Sequence, residues 1–312
     1  MLAGAARGDT VDLGSGQIRG RVLRVLLKGS RPEWSVAGSG VRLSNGVILD
    51  GIDFEGCSVS VPLRLSDISI IAGPHAAVLL RDAHIKRLGM QNRHLEGPLV
   101  ADCVQIDNGV TIAGRKIDGQ ILVRGAQIGG AFSVDGAQIG DDCNALTGNG
   151  LQLSGPLILR RSHLSGDVEL IRSPLGAGIH AENATIDGNA CGFNAESARI
   201  DGDFMLTAAR ISAGLSIAHA HILGRVDATG STVSAPQTAI AARSLNVEQG
   251  FDLVDTHLSG TLDIEGAEIG KGLRAEGLEV NSGTTAITAG GITIAGSWDL
   301  ARSKLVGAMN FP

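Results

Sequence analysis

A branched aliphatic residue recurs on a fixed schedule from Ile106 to Leu305: Ile106, Ile117, Ile128, Ile139; Leu153, Leu164, Leu175, Ile186; Ile200, Ile211, Ile222, Val233; Val247, Leu258, Ile269, Val280; Ile294, Leu305. The steps are 11, 11, 11 and 14 residues, so the pattern repeats every 47. A schedule this regular leaves little besides a stacked-repeat architecture.

Around each of these anchors the surroundings also recur. Two residues before it the side chain is usually small, as at Ala126, Ala184, Ala209 and Ala267. Two or three residues after it comes Gly in sixteen of eighteen units. Four and six residues after it come apolar pairs such as Leu157 with Leu159, Phe204 with Leu206 and Trp298 with Leu300. Alternation with period two is the mark of a strand with one buried face. Each unit therefore reads as strand, Gly corner, strand, corner, with positive φ the expected reason for the Gly. In the 14-residue units the apolar position moves to Leu146, Phe193, Ile240 and Ile287, which puts three extra residues in the corner just past the anchor.

An 11-residue coil would be too narrow for inward Leu, Ile and Phe, so two units make one coil. The expectation is an all-β, single-stranded parallel β-solenoid with about 22–25 residues per coil and a 47-residue two-coil superrepeat. With strands about 4.8 Å apart, roughly 11 coils give a rod of about 50 Å. A right-handed winding is expected. Residues 1–37 read as a lead-in and cap, 38–105 as irregular coils and 106–312 as the regular solenoid, all one continuous domain. Residues 1 to about 17 look poorly ordered, and strands are expected from Val41. Ile18 to Lys28 reads as a short amphipathic cap helix that also fits a first irregular strand. Residues 29–37, with Pro32 and Trp34, read as a linker. Between Ile70 and Leu95 the grid slips, and longer loops are expected at Gly73-Pro74-His75 and from Met90 to His94.

The chain has 312 residues, 45 of them Gly, with no Tyr and a net charge of −6. That balance gives no basic footprint for nucleic acid. No apolar run approaches the length of a membrane span, and no secretory leader is visible, so a cytoplasmic protein with membrane contact unlikely is the reading. Cys57, Cys103, Cys143 and Cys191 form no CxxC pair and read as reduced thiols.

Chemistry is sparse. Gly176, Gly178 and Ala181 spell a dinucleotide fingerprint but sit on an ordinary corner with no following helix. His219 and His221 point outward as surface residues. The outward strand residues stack into two columns. One runs Ile158, His180, Met205, Asp227, Asp252, Arg274, Asp299; the other runs Glu169, Asn194, Ser216, Ala241, Asp263, Thr288, Asn310. Asp227, Asp252, Arg274 and Asp299 are the one candidate ligand ladder, together with the irregular 71–95 region. Adjacent carboxylates could serve a metal-assisted or glycosidase chemistry, but Arg274 offers simple neutralisation and sugar grooves want aromatic platforms. No catalytic, cofactor or metal residue is assigned. The function expected is a non-enzymatic interaction scaffold that binds a protein partner or itself, end to end, as a homo-oligomer. The alternative is a polysaccharide- or metabolite-acting enzyme using the surface carboxylates.

The segments Ala126–Ile139 (AQIGGAFSVDGAQI) and Leu258–Ile269 (LSGTLDIEGAEI) resemble a family of bacterial, mainly actinobacterial, repeat proteins with units like GARIGGQLDLSGA. Ala286–Gly296 (AITAGGITIAG) is similar to that family's longer ALxADxLxVGGD segment, and Ile18–Leu27 (IRGRVLRVLL) to its start. The resemblance covers nearly the whole chain and implies the solenoid fold. Members often bear the label oxidoreductase or membrane-associated oxidoreductase, and no residue of this chain carries the chemistry that label needs. A looser, purely architectural similarity to bactofilins implies end-to-end polymerisation.

Overall fold

The computed structural model describes residues 4, 7–28, 36–113 and 116–311, apart from the side chains of 141–143. The linker reading for 29–35 and the thiol of Cys143 lie outside these. The chain winds as a parallel β-solenoid whose every coil has four sides. Sides one to three belong to one 29-stranded sheet, and side four is an 11-stranded sheet of its own. Side four pairs Val59, Ile85, Ile106, Ile128, Leu153 and so on to Ile294. These are alternate members of the aliphatic schedule, so two units do make one coil. The other anchors, such as Ile117, Ile139 and Leu164, stack on side two. Of the eighteen anchors only Ile294 and Leu305, in the last coil, are not buried.

The core follows directly from the period-two alternation. Inward residues of side one, among them Val110, Phe132, Leu157, Ile179, Phe204, Val226 and Phe251, are essentially inaccessible to water. Each full burial of such a side chain contributes about 1.5–3 kcal/mol, and the contribution recurs coil after coil.

The enlarged corners lie where expected, between sides two and three. Gln138–Thr147, Thr232–Ala241 and Glu279–Thr288 run round that corner as continuous strands with register shifts. The fourth differs. Between Thr185–Asp187 and Phe193–Asn194 the chain loops round the buried carboxylate of Asp167, which accepts from the N–H groups of Asn189, Ala190 and Gly192 at 2.8 to 3.0 Å.

Two kinds of corner use glycine, for two reasons. Between sides two and three, Gly260 has φ +126°, as expected. Between sides four and one, Gly178 and Gly272 have positive φ, but most of the glycines do not. Gly224 has an ordinary φ, but an added Cβ would lie 2.5 Å from the backbone of Gly202 in the preceding coil. Coils stack there backbone on backbone.

The N-terminal third departs from its expected irregularity. Thr10–Asp12 (β1) and Gln17–Arg19 (β2) are strands, not disordered lead-in, and pair with the two halves of Val41–Leu49 (β3). Both readings of the following stretch hold in part, because β2 leads straight into helix α1, Gly20–Leu27. α1 sits where the first coil's side three would be, beside Ile52–Asp53. Leu23, Leu26 and Leu27 are buried on the first coil, and Arg24 reaches Asp53 at 2.6 Å. Met90–His94 is no loop; it lies within the nine-residue strand Leu88–Glu96, paired with Leu63–Ile71 through a bulge. The longer loop expected at Gly73-Pro74-His75 is present: the corner from Ile70 to Val78 is long, while that from Ile85 to Leu88 is one residue short. The coils ending at Ile85 and Ile106 therefore hold 26 and 21 residues, which still sum to the 47-residue period.

Candidate functional site

Stacking places Asp227, Asp252, Arg274 and Asp299 on side one in the predicted order, each directly opposite the next. Their strands point Val226, Phe251, Leu273 and Trp298 inward, which turns the four polar residues outward. Arg274 donates through Nε and an Nη to the two carboxylate oxygens of Asp252 at 2.6 and 2.7 Å. The Asp252 side chain keeps only 4% of its surface in water, against 62% for Arg274. Hydrogen bonds to Asp252 and its charge, with Asp227 adding its own, hold the Arg274 guanidinium above its ordinary pKa. Asp227 accepts from the N–H of Thr229 at 3.0 Å, and Asp299 from that of Ala301 at 2.9 Å.

This last contact is a repeated device. Asp53, Asn194 and Asp263 bond the N–H two residues on in the same way. A short polar side chain at the strand end closes the corner that follows. The ladder's carboxylates are thus all engaged in holding corners or an arginine. Asp252 is held through both oxygens by Arg274, while Asp227 and Asp299 each accept a single backbone N–H through one oxygen.

Other sequence candidates remain where the corner geometry puts them. His221 faces Glu248 at 3.3 Å and Arg199 at 3.5 Å, and His219 is exposed with φ +57°. No group of three or more His, Cys, Asp or Glu side chains is arranged to hold a metal among the described residues. The Gly176–Ala181 segment runs into the strand Ile179–His180, not a helix. Cys57, Cys103 and Cys191 are free thiols, and burial, with the nearby Asp167 and Glu169 charges, pushes the Cys191 thiol up.

A groove lies elsewhere, on side one of the N-terminal coils at its corner with side four. It encloses about 680 Å³ and is lined by Arg64, Arg87, Gly89, Asn108, Thr111 and Gly130, among others. It exists because the Ile85–Leu88 corner is one residue short and because Gly89, Gly109 and Gly130 put no side chain over it. It overlaps the irregular 71–95 candidate at Arg87, Gly89 and Gln91. Sequence reading named that region but not Arg64, though Arg42 and Arg64 stand on the outward grid of side one, one coil apart.

No protein-family model matches the chain, and comparisons with curated proteins and with solved structures return no match. Among the described residues no helix is long and apolar enough to cross a membrane.

Proposed function

We propose that this chain is a non-enzymatic scaffold that binds other proteins, a second copy of itself among them. The observation that carries the reading is a set of exposed apolar side chains on and just after the strand Lys304–Asn310: Val306 at 59%, Met309 at 38% and Phe311 at 54% exposure. Large apolar side chains gathered in water mark a protein-contact surface. Two copies that meet through the same surface form a closed, two-fold contact rather than a filament. The free thiols fit work in a reducing compartment, the cytoplasm.

The test is light scattering behind size exclusion over a range of concentrations. A dimer that Val306→Glu with Met309→Glu converts to monomer is expected. A monomer at every concentration overturns self-association, and filaments overturn the two-fold contact.

A further inference from the structure

We infer that the groove on the N-terminal coils is a binding site for an extended acidic peptide segment of a protein partner; this rests on the scaffold reading above. Most described arginines reach a carboxylate, as Arg81, Arg124, Arg161, Arg243 and Arg302 do. Arg64 and Arg87, on the groove's walls, have no ion-pair partner among the described residues. Nor has Arg42, directly opposite Arg64 on the neighbouring strand, whose Nε is buried without a hydrogen bond. Like charges on directly opposed strand positions repel. The protein keeps this arrangement where a carboxylate would have been as easy to place as at Asp252.

Two acids close by in sequence are already committed. Asp107, round the corner on side four, is bonded to His84 at 2.7 Å, and Asp67 lies 3.9 Å from Arg93. The wider charge distribution agrees. Residues 1–100 carry twelve Lys and Arg against nine Asp and Glu, whereas residues 101–312 carry fourteen against twenty-three.

The shape selects the ligand class. From Arg64 through Gly89 and Thr111 to the Gly130 corner the groove crosses three strand spacings, about 14 Å. An extended chain covers that with about four residues. The groove is open along its length, whereas small-molecule sites enclose most of their ligand. It lacks the aromatic platforms on which nucleic-acid bases stack. Guanidinium groups with the Thr111 hydroxyl match a run of carboxylates; the Asn108 amide already donates one hydrogen to the Lys86 carbonyl at 2.9 Å and keeps the other.

Gly89 supplies a clean probe. Its φ is ordinary and an added Cβ would meet only the Arg64 Cγ at 3.8 Å, so a larger side chain fills the groove without disturbing the stack. Binding of a fluorescent hexaglutamate peptide to the full chain is read by anisotropy, with pyrophosphate and a short DNA duplex as comparison probes. Peptide binding that weakens with salt is expected. Arg64→Gln with Arg87→Gln should weaken it about tenfold or more, and Gly89→Leu comparably with an unchanged melting curve. If Gly89→Leu fails to fold, the surface pair Arg64→Glu with Arg87→Glu decides alone. No peptide binding, binding indifferent to these changes, or equal binding of pyrophosphate or duplex overturns the inference. Self-association at the far end is read separately, so either result stands without the other.

Discussion

At the N-terminal end Leu23, Leu26 and Leu27 of α1 lie buried on the first coil; at the C-terminal end Trp298, Leu300 and Leu305 hold inward core positions and remain partly exposed. The arginines of side one show a second contrast. Arg274, in the C-terminal coils, is locked to Asp252, while Arg64, in the N-terminal coils, faces Gly89 and has no acid partner among the described residues. The strand position on side one is the same in both regions, so what differs is the neighbour one coil away. In a solenoid each coil touches only its neighbours. The end coils and the column neighbours are therefore where one chain of this architecture can differ from another.

The largest expected effect separates the two ends. Leu26→Ala should cost about 2–5 kcal/mol, as for a buried leucine left as a cavity. Leu300→Ala, already partly wet, should cost less than about 1.5 kcal/mol. Urea unfolding of both variants compares them, and equal losses would break the distinction between the buried leucine of α1 and the partly exposed one of the last coil.

Next comes the arginine pair. Arg274→Ala strands the buried Asp252 carboxylate, and a loss of about 1–2 kcal/mol is expected, held to that size by the exposure of the guanidinium. Arg64→Ala should change stability by less than about 0.5 kcal/mol, as for an arginine kept for something other than folding.

Gly89→Asp sharpens the same contrast by placing a carboxylate opposite Arg64, as Asp252 stands opposite Arg274. Stability should rise by no more than about 1 kcal/mol, and hexaglutamate binding should be lost.

The smallest effect is in pH. Burial pushes the Asp102 carboxyl up, but two hydrogen bonds from the Arg124 side chain, one from its backbone N–H, and the charges of Arg124 and Arg81 outweigh it and hold the carboxyl below its usual range. Glu279, on the last coils, is lowered by the Lys304 hydrogen bond and charge. A carboxyl depressed in the folded state contributes stability above its unfolded pKa, and that contribution is lost as pH falls through the folded one. Both should titrate by NMR below the usual carboxylate range. Added salt should move the exposed Glu279 back further than the sheltered Asp102.

Much of this could be read from residues alone. The aliphatic schedule gave the coil, and counting outward from it placed Asp227 opposite Asp252 and Arg274 opposite Asp299. The misses have physical causes. Gly after the anchor invited a positive-φ reading because that is a local property; the close approach of Gly224 to Gly202 involves residues 22 apart. Met90–His94 looked like a loop because Asn92 stood at an apolar position, and a bulge against the neighbouring strand absorbed the mismatch. The groove escaped notice because it is made by what is missing, one corner residue and several side chains.

The sequence by itself determined the period, the inward and outward faces and the column in which each side chain stands, because strand alternation and coil length are linear properties of the chain. Only the tertiary structure decided which carboxylates are spent on corners and arginines and which arginines are left over. Those depend on distances between residues one coil apart, and the same spacing in sequence serves a salt bridge at Arg274 and an open groove at Arg64.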